Sequence, residues 1–434
     1  MEIKKSGERK LRNWKSTIFS FSHFLIFLLL AGCWDEKVEN LGSLGYPITA
    51  LAIDPSSCAC TADTSATDTT PVTGACENLK NNPNLQLVSC KTVYAATDGG
   101  GLFKTEDGGA TWHISLVPSE MYIKALAVDA HPKATTPRVV YAGTENAGVM
   151  RSENGGVSWI PQTDPLILSV SAVIVDPKTD DLDSRASCRV LGDGTPPCYT
   201  IFAASQGSGV WRSDNQGQSW QPITGESGFG LTEPSVTSLA LSPPKNTPTL
   251  LYAGTEGGRV FKYTPDSVDP TNPAKGRWTE QTSTPVLPSN TPLLPRDAVS
   301  LAVHPGGRPL YAGLGGLQGG GGGGLWRSDD DGLSWNEVAP NLNTNPDSVY
   351  VLSFVKLPEV ILYAGFSGLK KCIDSSNCLL SANWADLKVP SNKGVSALAV
   401  DPYTQTFMIA GNYIGQLFRS LDRGTTWTKL NVGF

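Results

Sequence analysis

The chain has 434 residues, 40% of them hydrophobic and 17% charged, a balance that excludes a disordered polymer and leaves material for a large core. Its net charge is −6 and no basic stripe runs along it, which excludes the phosphate neutralisation that nucleic-acid binding requires. With 45 glycines and 31 prolines, short strands joined by tight turns are favoured over long helices, so the expected class is all-β.

The first 32 residues have the order of a targeting segment: Lys4, Lys5, Arg9, Lys10, Arg12 and Lys15, an apolar run from Ile18 to Ala31, then Leu30-Ala31-Gly32-Cys33. That ending resembles a bacterial lipobox. The resemblance implies diacylation of the Cys33 thiol, cleavage before it and acylation of the new amine, so that several chains tether the protein to a membrane. An uncleaved membrane anchor is the alternative, because the apolar run nearly reaches spanning length. We therefore expect a lipoprotein signal peptide at 1–32 and a tether at 33–45, and a bacterial cell envelope as the location. Trp34 departs from the aspartate that retains enteric lipoproteins in the inner membrane, which favours the outer membrane or cell surface. Residues 1–32 carry six Lys/Arg and two Asp/Glu, so the remainder has a net charge of −10.

Setting Cys33 aside leaves eight cysteines: Cys58, Cys60, Cys76 and Cys90 in one long segment, Cys188 with Cys198 flanking a loop, and Cys372 with Cys378 flanking another. An even number in an exported chain is read as disulfides. Metal binding is the rival, but Cys58-Ala59-Cys60 lacks the two-residue gap of a zinc knuckle and no histidine lies near these cysteines.

From about Ile48 onward one pattern recurs seven times. It opens with an apolar strand ending at a turn, as in Ala50 to Pro55, Ala125 to Asp129, Ala172 to Pro177, Ser238 to Pro243, Ser300 to Pro305, Val351 to Phe354 and Ala397 to Pro402; we read this strand as buried on both faces. A second strand carries an aromatic or apolar residue before a small pair, as in Tyr94-Ala95-Ala96 and Tyr141-Ala142-Gly143, where small residues allow neighbouring sheets to approach. A third ends in a base at Lys104, Arg151, Arg212, Lys262, Arg327, Lys371 or Arg419, read as strand-end residues with solvated heads. A fourth starts at a tryptophan.

The third and fourth pieces are joined by Ser/Thr-x-Asp-x-Gly-x-Ser/Thr-Trp, which resembles the Asp box. Five copies are well formed, with Asp107 and Trp112, Asn154 and Trp159, Asn215 and Trp220, Asp330 and Trp335, and Asp422 and Trp427. The fourth copy is swollen between Lys262 and Trp278, and in the sixth an insert at Cys372 to Cys378 precedes Trp384. The chemistry of the box is conformational: the Asp or Asn side chain accepts N–H groups two residues on, glycine supplies a positive φ, and the indole staples the hairpin to its sheet. The tryptophans are spaced by 47, 61, 58, 57, 49 and 43 residues, as expected for one seven-bladed β-propeller of four-stranded antiparallel blades at 46–434. The first unit starts with an inner strand and the last ends with an outer one, so no strand swap is expected to seal the ring, and disulfides near the first blade are expected to help.

The repeat resembles that of sialidases, xyloglucan-degrading glycosidases, sortilin-type receptor domains and the photosystem II assembly factor family. Such a resemblance implies the fold and leaves the function open. A sialidase would need an arginine cluster and an early Arg-Ile-Pro segment, which this chain lacks. The segment Tyr94 to Lys104 resembles a xyloglucanase first blade, which makes Asp98 a weak catalytic candidate as general base; an inverting glycosidase needs a second carboxyl across the sugar, which that family places on a second propeller. We read no cofactor and no metal site: the four histidines (His23, His113, His131, His304) have no paired-ligand spacing, and Asp176, Asp180, Asp181 and Asp183 have none of the fixed spacing of a calcium loop. Gly313 to Gly324 reads as a flexible loop. The face opposite the boxes is expected to display Asp98, Glu145, Gln206, Glu256, Phe366 and Tyr413 from inner turns and Tyr122, Phe229 and Tyr350 from blade links. The expected role is a non-enzymatic binding or assembly module for a protein or glycan partner, with a glycoside hydrolase as the alternative.

Overall fold

The structure is a computed structural model and describes residues 46–62, 72–73, 85–116, 121–129, 138–162, 168–176, 200–242, 249–266, 272, 275–281, 298–315, 323–338, 348–356, 359–373, 378–391 and 393–431. Cys33, Cys76, Cys188, Cys198, Asp180, Asp181 and Asp183 lie outside them, as does the side chain of Cys60.

Seven four-stranded antiparallel sheets are arranged as a closed propeller. In blade 1 the strands are β1 (Ile48–Ile53), β5 (Val93–Thr97), β6 (Leu102–Thr105) and β7 (His113–Leu116). Between β1 and β5 an insertion forms a separate three-stranded sheet of β2 (Cys58–Ala62), β3 (Val72–Thr73) and β4 (Leu85–Cys90). Each later blade uses four consecutive strands, from β8 (Ile123–Val128) in blade 2 to β31 (Thr428–Lys429) in blade 7. No strand is exchanged between blades, so the ring closes where β1 meets β28 (Ala397–Val400). Among the described residues there is no α-helix, and no helix is long and apolar enough to cross a membrane.

Burial corrects the reading of the first strand. The inner strands are only part-buried, as in β8 and β12 (Val170–Val175), because one face looks onto a central channel of about 250 Å³ lined by Ala50, Lys124, Ser171, Thr237, Ser300 and Leu352. The strand buried on both faces is the second: β5, β9 (Val140–Thr144), β13 (Ile201–Ser205), β17 (Leu251–Thr255), β21 (Leu310–Leu314) and β25 (Ile361–Gly365) are buried at every residue. Its small pair does admit the next blade. A Cβ on Gly143 would meet Val170 at 2.6 Å, and one on Gly411 would meet Ile48 at 2.6 Å, so the seam that closes the ring is packed like an internal one.

The boxes share one hydrogen-bond pattern. The first hydroxyl accepts the N–H of the glycine four residues on, at 2.7–2.9 Å for Thr105, Ser152, Ser213, Ser328 and Ser420. The Asp or Asn Oδ1 accepts the N–H four residues on, not two: Thr111, Ser158, Ser219, Ser334 and Thr426 donate at 2.8–2.9 Å. The reason is geometric. Two successive positive-φ residues, such as Gly108 and Gly109 or Asp331 and Gly332, curl the chain so that the later N–H faces the carboxylate. Box tryptophans are buried or half-buried; the indoles of Trp159 and Trp427 donate to the carbonyls of Gly156 and Gly424 at 3.2 and 3.1 Å.

A second correction concerns the bases. Their heads are not simply solvated; most reach the box of the next blade. Arg151 donates to Gln216 at 2.9 Å, Lys262 to Asp331 at 3.3 Å, Lys371 to the Arg423 carbonyl at 3.4 Å, and Arg419 to the Gly108 carbonyl at 2.9 Å. The buried second-strand tyrosines act in parallel, Tyr94 on the Gly155 carbonyl at 2.9 Å and Tyr141 on that of Gln216 at 3.1 Å. Where the following box is degenerate the base turns to its own blade: Arg212 pairs with Asp214 and Arg327 with Asp329. Lys104 is the exception, pairing with Glu106 although the next box is intact.

Two disulfides lie among the described residues. Cys58–Cys90 joins directly opposed residues of β2 and β4, and Cys372–Cys378 closes the insert of the sixth copy, where the Cys378 carbonyl accepts the Trp384 indole at 2.8 Å.

Candidate functional site

The face opposite the boxes is built from two repeated features. In five blades the inner strand has a register shift near its start, at Thr49, Lys124, Ser171, Thr237 and Val299. At Thr49, Lys124, Ser171 and Thr237 the bulge re-aims the side chain. The counterparts in blades 6 and 7 are Tyr350 and Ser396. Four of the seven are small hydroxyl residues and three bond neighbouring main chain: Thr49 to Ile123, Ser171 to Val236 and Ser396 to Ile48, at 2.5–2.6 Å. Lys124 is the one charged residue of this ring and Tyr350 the one aromatic.

In blades 1 to 4 the second feature is the residue that follows the last residue of the second strand. Its N–H donates to the carbonyl just before the same blade's inner strand: Asp98 to Pro47, Glu145 to Tyr122, Gln206 to Ser169 and Glu256 to Ser235, at 2.9–3.0 Å. These four side chains therefore occupy equivalent places around the channel mouth. Blade 6 differs. Phe366, expected on this face, is 3% exposed and packs with Val349 and Leu352 in the core, because it directly follows Tyr363-Ala364-Gly365 and so holds the place of the buried Thr97, Thr144 and Thr255. It presents no surface to a partner.

The two features converge between blades 1 and 2. The Lys124 ammonium lies 2.6 Å from Asp98 Oδ1, 3.6 Å from Glu145 Oε2 and 5.7 Å from the centre of the Tyr122 ring. Tyr122 is 41% exposed, and Tyr46, 46% exposed, lies against the same turn: a Cβ on Gly99 would sit 3.5 Å from each ring. The result is two tyrosines flanking a Lys-carboxylate hub at the rim of the channel. Asp98 and Glu145 were legible as candidates; Tyr46 and Lys124 were not, the first because it precedes the repeats and the second because only the bulge turns it towards the mouth.

The other candidates do not join this cluster. Glu256 is exposed in blade 4, near the pair Arg259–Glu233 at 3.2 Å. Phe229 stacks on Arg277 at 4.6 Å, and its carbonyl accepts the Trp278 N–H, which places it beside the outer strand of blade 4. Tyr350 and Tyr413 meet edge to face at 4.7 Å between blades 6 and 7. Burial and the adjacent Tyr350 phenol push the Tyr413 hydroxyl above its ordinary value, so it stays protonated.

Chemically, the hub is a paired one. Asp98 Oδ1 accepts a hydrogen bond from the Lys124 ammonium. Among the described residues no group of three or more His, Cys, Asp or Glu is gathered to hold a metal ion. Asp176 is buried, its N–H donating to the Thr200 carbonyl at 2.8 Å, and His304 accepts the Gly306 N–H at 2.8 Å.

No protein-family profile matches this chain, and no curated protein matches it by sequence. Solved structures do. YCF48 bound to D1 peptide is similar at a TM-score of 0.52 and 15% identity, over 88% of this chain and 95% of that one. The extracellular domain of a one-component system from B. thetaiotaomicron is similar at 0.48 and 15%, over 76% of this chain and 36% of that one. The GH74 xyloglucanase from Xanthomonas campestris is similar at 0.45 and 16%, over 90% of this chain and 55% of that one. At these identities the likeness is one of fold.

Proposed function

We propose that this chain is a non-enzymatic binding propeller of a bacterial cell envelope, tethered by lipid on Cys33, which holds a protein partner at the channel mouth between blades 1 and 2. One observation carries the reading: Asp98, the catalytic candidate, is paired with Lys124, which also pairs with Glu145, in a hub flanked by two exposed tyrosines. Tyrosines that expose a ring and a hydroxyl together are typical of protein-binding surfaces. A propeller of this fold has been solved with a peptide bound, which is consistent with the mouth as a peptide-holding surface.

The test is site-specific crosslinking in intact envelopes. A photoreactive residue at Tyr122 should capture one stoichiometric protein, whereas the same residue at Leu333, exposed on the box face, should capture none. Tyr122→Ala should then weaken binding of that partner at least tenfold. Turnover of a β-glucan or sialoside that disappears in Asp98→Asn would overturn the reading in favour of a glycosidase. The tether is tested separately: labelling by a palmitate analogue should be lost in Cys33→Ser.

A further inference from the structure

Successive blades are joined by the chain itself, but blades 7 and 1 are covalently connected only the long way round the ring. With no exchanged strand, this seam depends on what the two blades place against each other. The contacts gather at the two ends of β1. At the mouth end, the Ile48 N–H donates to the Asn412 carbonyl at 3.0 Å and the Ser396 hydroxyl to the Ile48 carbonyl at 2.6 Å. At the box end, Arg419 grips the Gly108 carbonyl, and the Gly108 N–H donates to the Lys91 carbonyl at 2.9 Å.

Lys91 is the residue after Cys90. It belongs to a neck through which the β2–β4 insertion leaves and re-enters blade 1: the Asp54 N–H donates to the Thr92 carbonyl at 3.0 Å, the Thr92 N–H to Ser57 Oγ at 2.9 Å, and the Lys91 N–H to the Ser57 carbonyl at 3.3 Å. The Cys58–Cys90 bridge crosslinks that neck across a separation of 32 residues. Both half-cystines are buried in a cluster that joins Val93, Phe103 and Trp112 of blade 1 to Phe407, Leu417 and Leu430 of blade 7. A Cβ on Gly108 would lie 3.2 Å from the Cys90 carbonyl and 3.7 Å from the Phe407 ring, so three parts of the seam converge on this turn.

We infer that the Cys58–Cys90 bridge is the closing latch of the ring, so that thiol reduction opens the propeller at the blade 7–blade 1 seam while the other seams stay closed. A dithiol reductant supplies two electrons and two protons and ends as a disulfide; the S–S bond breaks and two thiols form. The neck then loses its covalent crosslink and keeps only hydrogen bonds and apolar packing, and the Lys91 carbonyl can leave the Gly108 turn on which Arg419 depends. Cys372–Cys378 spans six residues within blade 6 and closes only its own insert.

Hydrogen exchange on the mature protein tests the latch. The amide of Ile48, bonded to Asn412 of blade 7, reports the seam, that of Gly108, bonded to Lys91, reports the neck beside it, and those of Gly156 and Gly217, donating to Ser152 and Ser213, report the boxes of blades 2 and 3. In the double variant Cys58→Ala, Cys90→Ala, exchange at Ile48 and Gly108 should rise at least tenfold with Gly156 and Gly217 unchanged; in Cys372→Ala, Cys378→Ala all four should be unchanged. Seam amides that keep their rate, or all four rising together, would overturn the inference. Should the first double variant not fold, wild-type protein is treated with a dithiol and its free thiols scored by alkylation. Seam exchange must then track the reduced fraction of Cys58 and Cys90, and seam exchange that does not track it overturns the latch.

Discussion

The guanidinium of Arg419, on the third strand of the last blade, donates to the main-chain carbonyl of Gly108 in the first blade's box at 2.9 Å. The same relation, a base on one blade reaching the box turn of the next, joins Arg151 to Gln216 and Lys262 to Asp331. The box is thus a receptor for its neighbour as well as a hairpin. Hydrogen bonds from charged groups contribute about 1.5–3 kcal/mol, so Arg419→Ala should lower unfolding stability by an amount in that range. Arg327, whose partner Asp329 is exposed in its own blade, should cost only about 0–1 kcal/mol when truncated. Urea unfolding of the two variants side by side checks the difference; equal losses would refute the inter-blade role.

Aspartate and asparagine serve the box by opposite hydroxyl orientations. In the Asp330 box the Ser334 hydroxyl donates to Oδ2 at 2.5 Å, while in the Asn154 box Nδ2 donates to the Ser158 hydroxyl at 2.8 Å. Rotating one hydroxyl accommodates the exchange. Asp330→Asn should therefore shift stability at pH 7 by less than about 0.5 kcal/mol. Asp330→Ala, which deprives the Ser334 N–H of its acceptor, should cost about 0.5–2 kcal/mol, the range of other capping side chains. Equal costs for the two would count against this account.

Box carboxylates also set an acid limit. Hydrogen bonds from the Ser334 hydroxyl and N–H hold the Asp330 carboxyl at about 2. At Asp107 burial opposes ionisation, but hydrogen bonds from Thr111 and Thr105 outweigh it and the carboxyl again titrates at about 2. Asp422 is lowered in the same way, by Thr426 and Ser420 against burial. All three titrate below the unfolded carboxylate value of about 3.9, so their contribution is complete above that pH and is lost as pH falls towards 2. Each carboxyl is close to solvent, which keeps the individual effects small. The urea midpoint should fall between pH 4 and pH 2, and more shallowly in the triple variant Asp107→Asn, Asp330→Asn, Asp422→Asn. Parallel slopes would assign the acid sensitivity elsewhere.

The ring was legible because its signals are local. A box is eight consecutive residues, and a small pair in the second strand is read from its own tripeptide. What stayed hidden depends on partners far along the chain. Nothing near Arg419 says that it meets Gly108, 311 residues away, and nothing near Cys58 says which cysteine faces it. The mouth was half legible for the same reason. Asp98 and Glu145 follow from their place at the end of a strand, whereas Lys124 reads as an ordinary inner-strand residue until the register shift between Ile123 and Ala125 turns it onto the mouth. Phe366 misled because it directly follows Tyr363-Ala364-Gly365 and so holds the place of the buried Thr97 and Thr144, one residue before the place of Asp98.

The small pairs give the sharpest steric test, because the glycines concerned do not have positive φ and an added methyl meets only packing. At Gly143 the three nearest atoms are side-chain carbons of Val170, Val173 and Ala125, at 2.6, 3.2 and 3.3 Å. A valine rotamer can yield, so Gly143→Ala should cost about 1 kcal/mol, the low end of overpacking. At Gly365 a methyl would lie 2.7 Å from the Val395 carbonyl oxygen, and at Gly313 it would lie 2.9 Å from that of Val349. Main chain cannot rotate away, and relief requires the next blade to move as a unit. Gly365→Ala and Gly313→Ala should therefore cost about 2–3 kcal/mol or more. Ala96 and Ala204 already fill this position in blades 1 and 3, so shortening either to glycine should leave the seam underfilled and destabilise in the opposite sense of volume. Urea midpoints ordered Gly143→Ala above Gly313→Ala and Gly365→Ala would show that the distance between blades is set by main chain; an inverted order would place the constraint in the valine side chains.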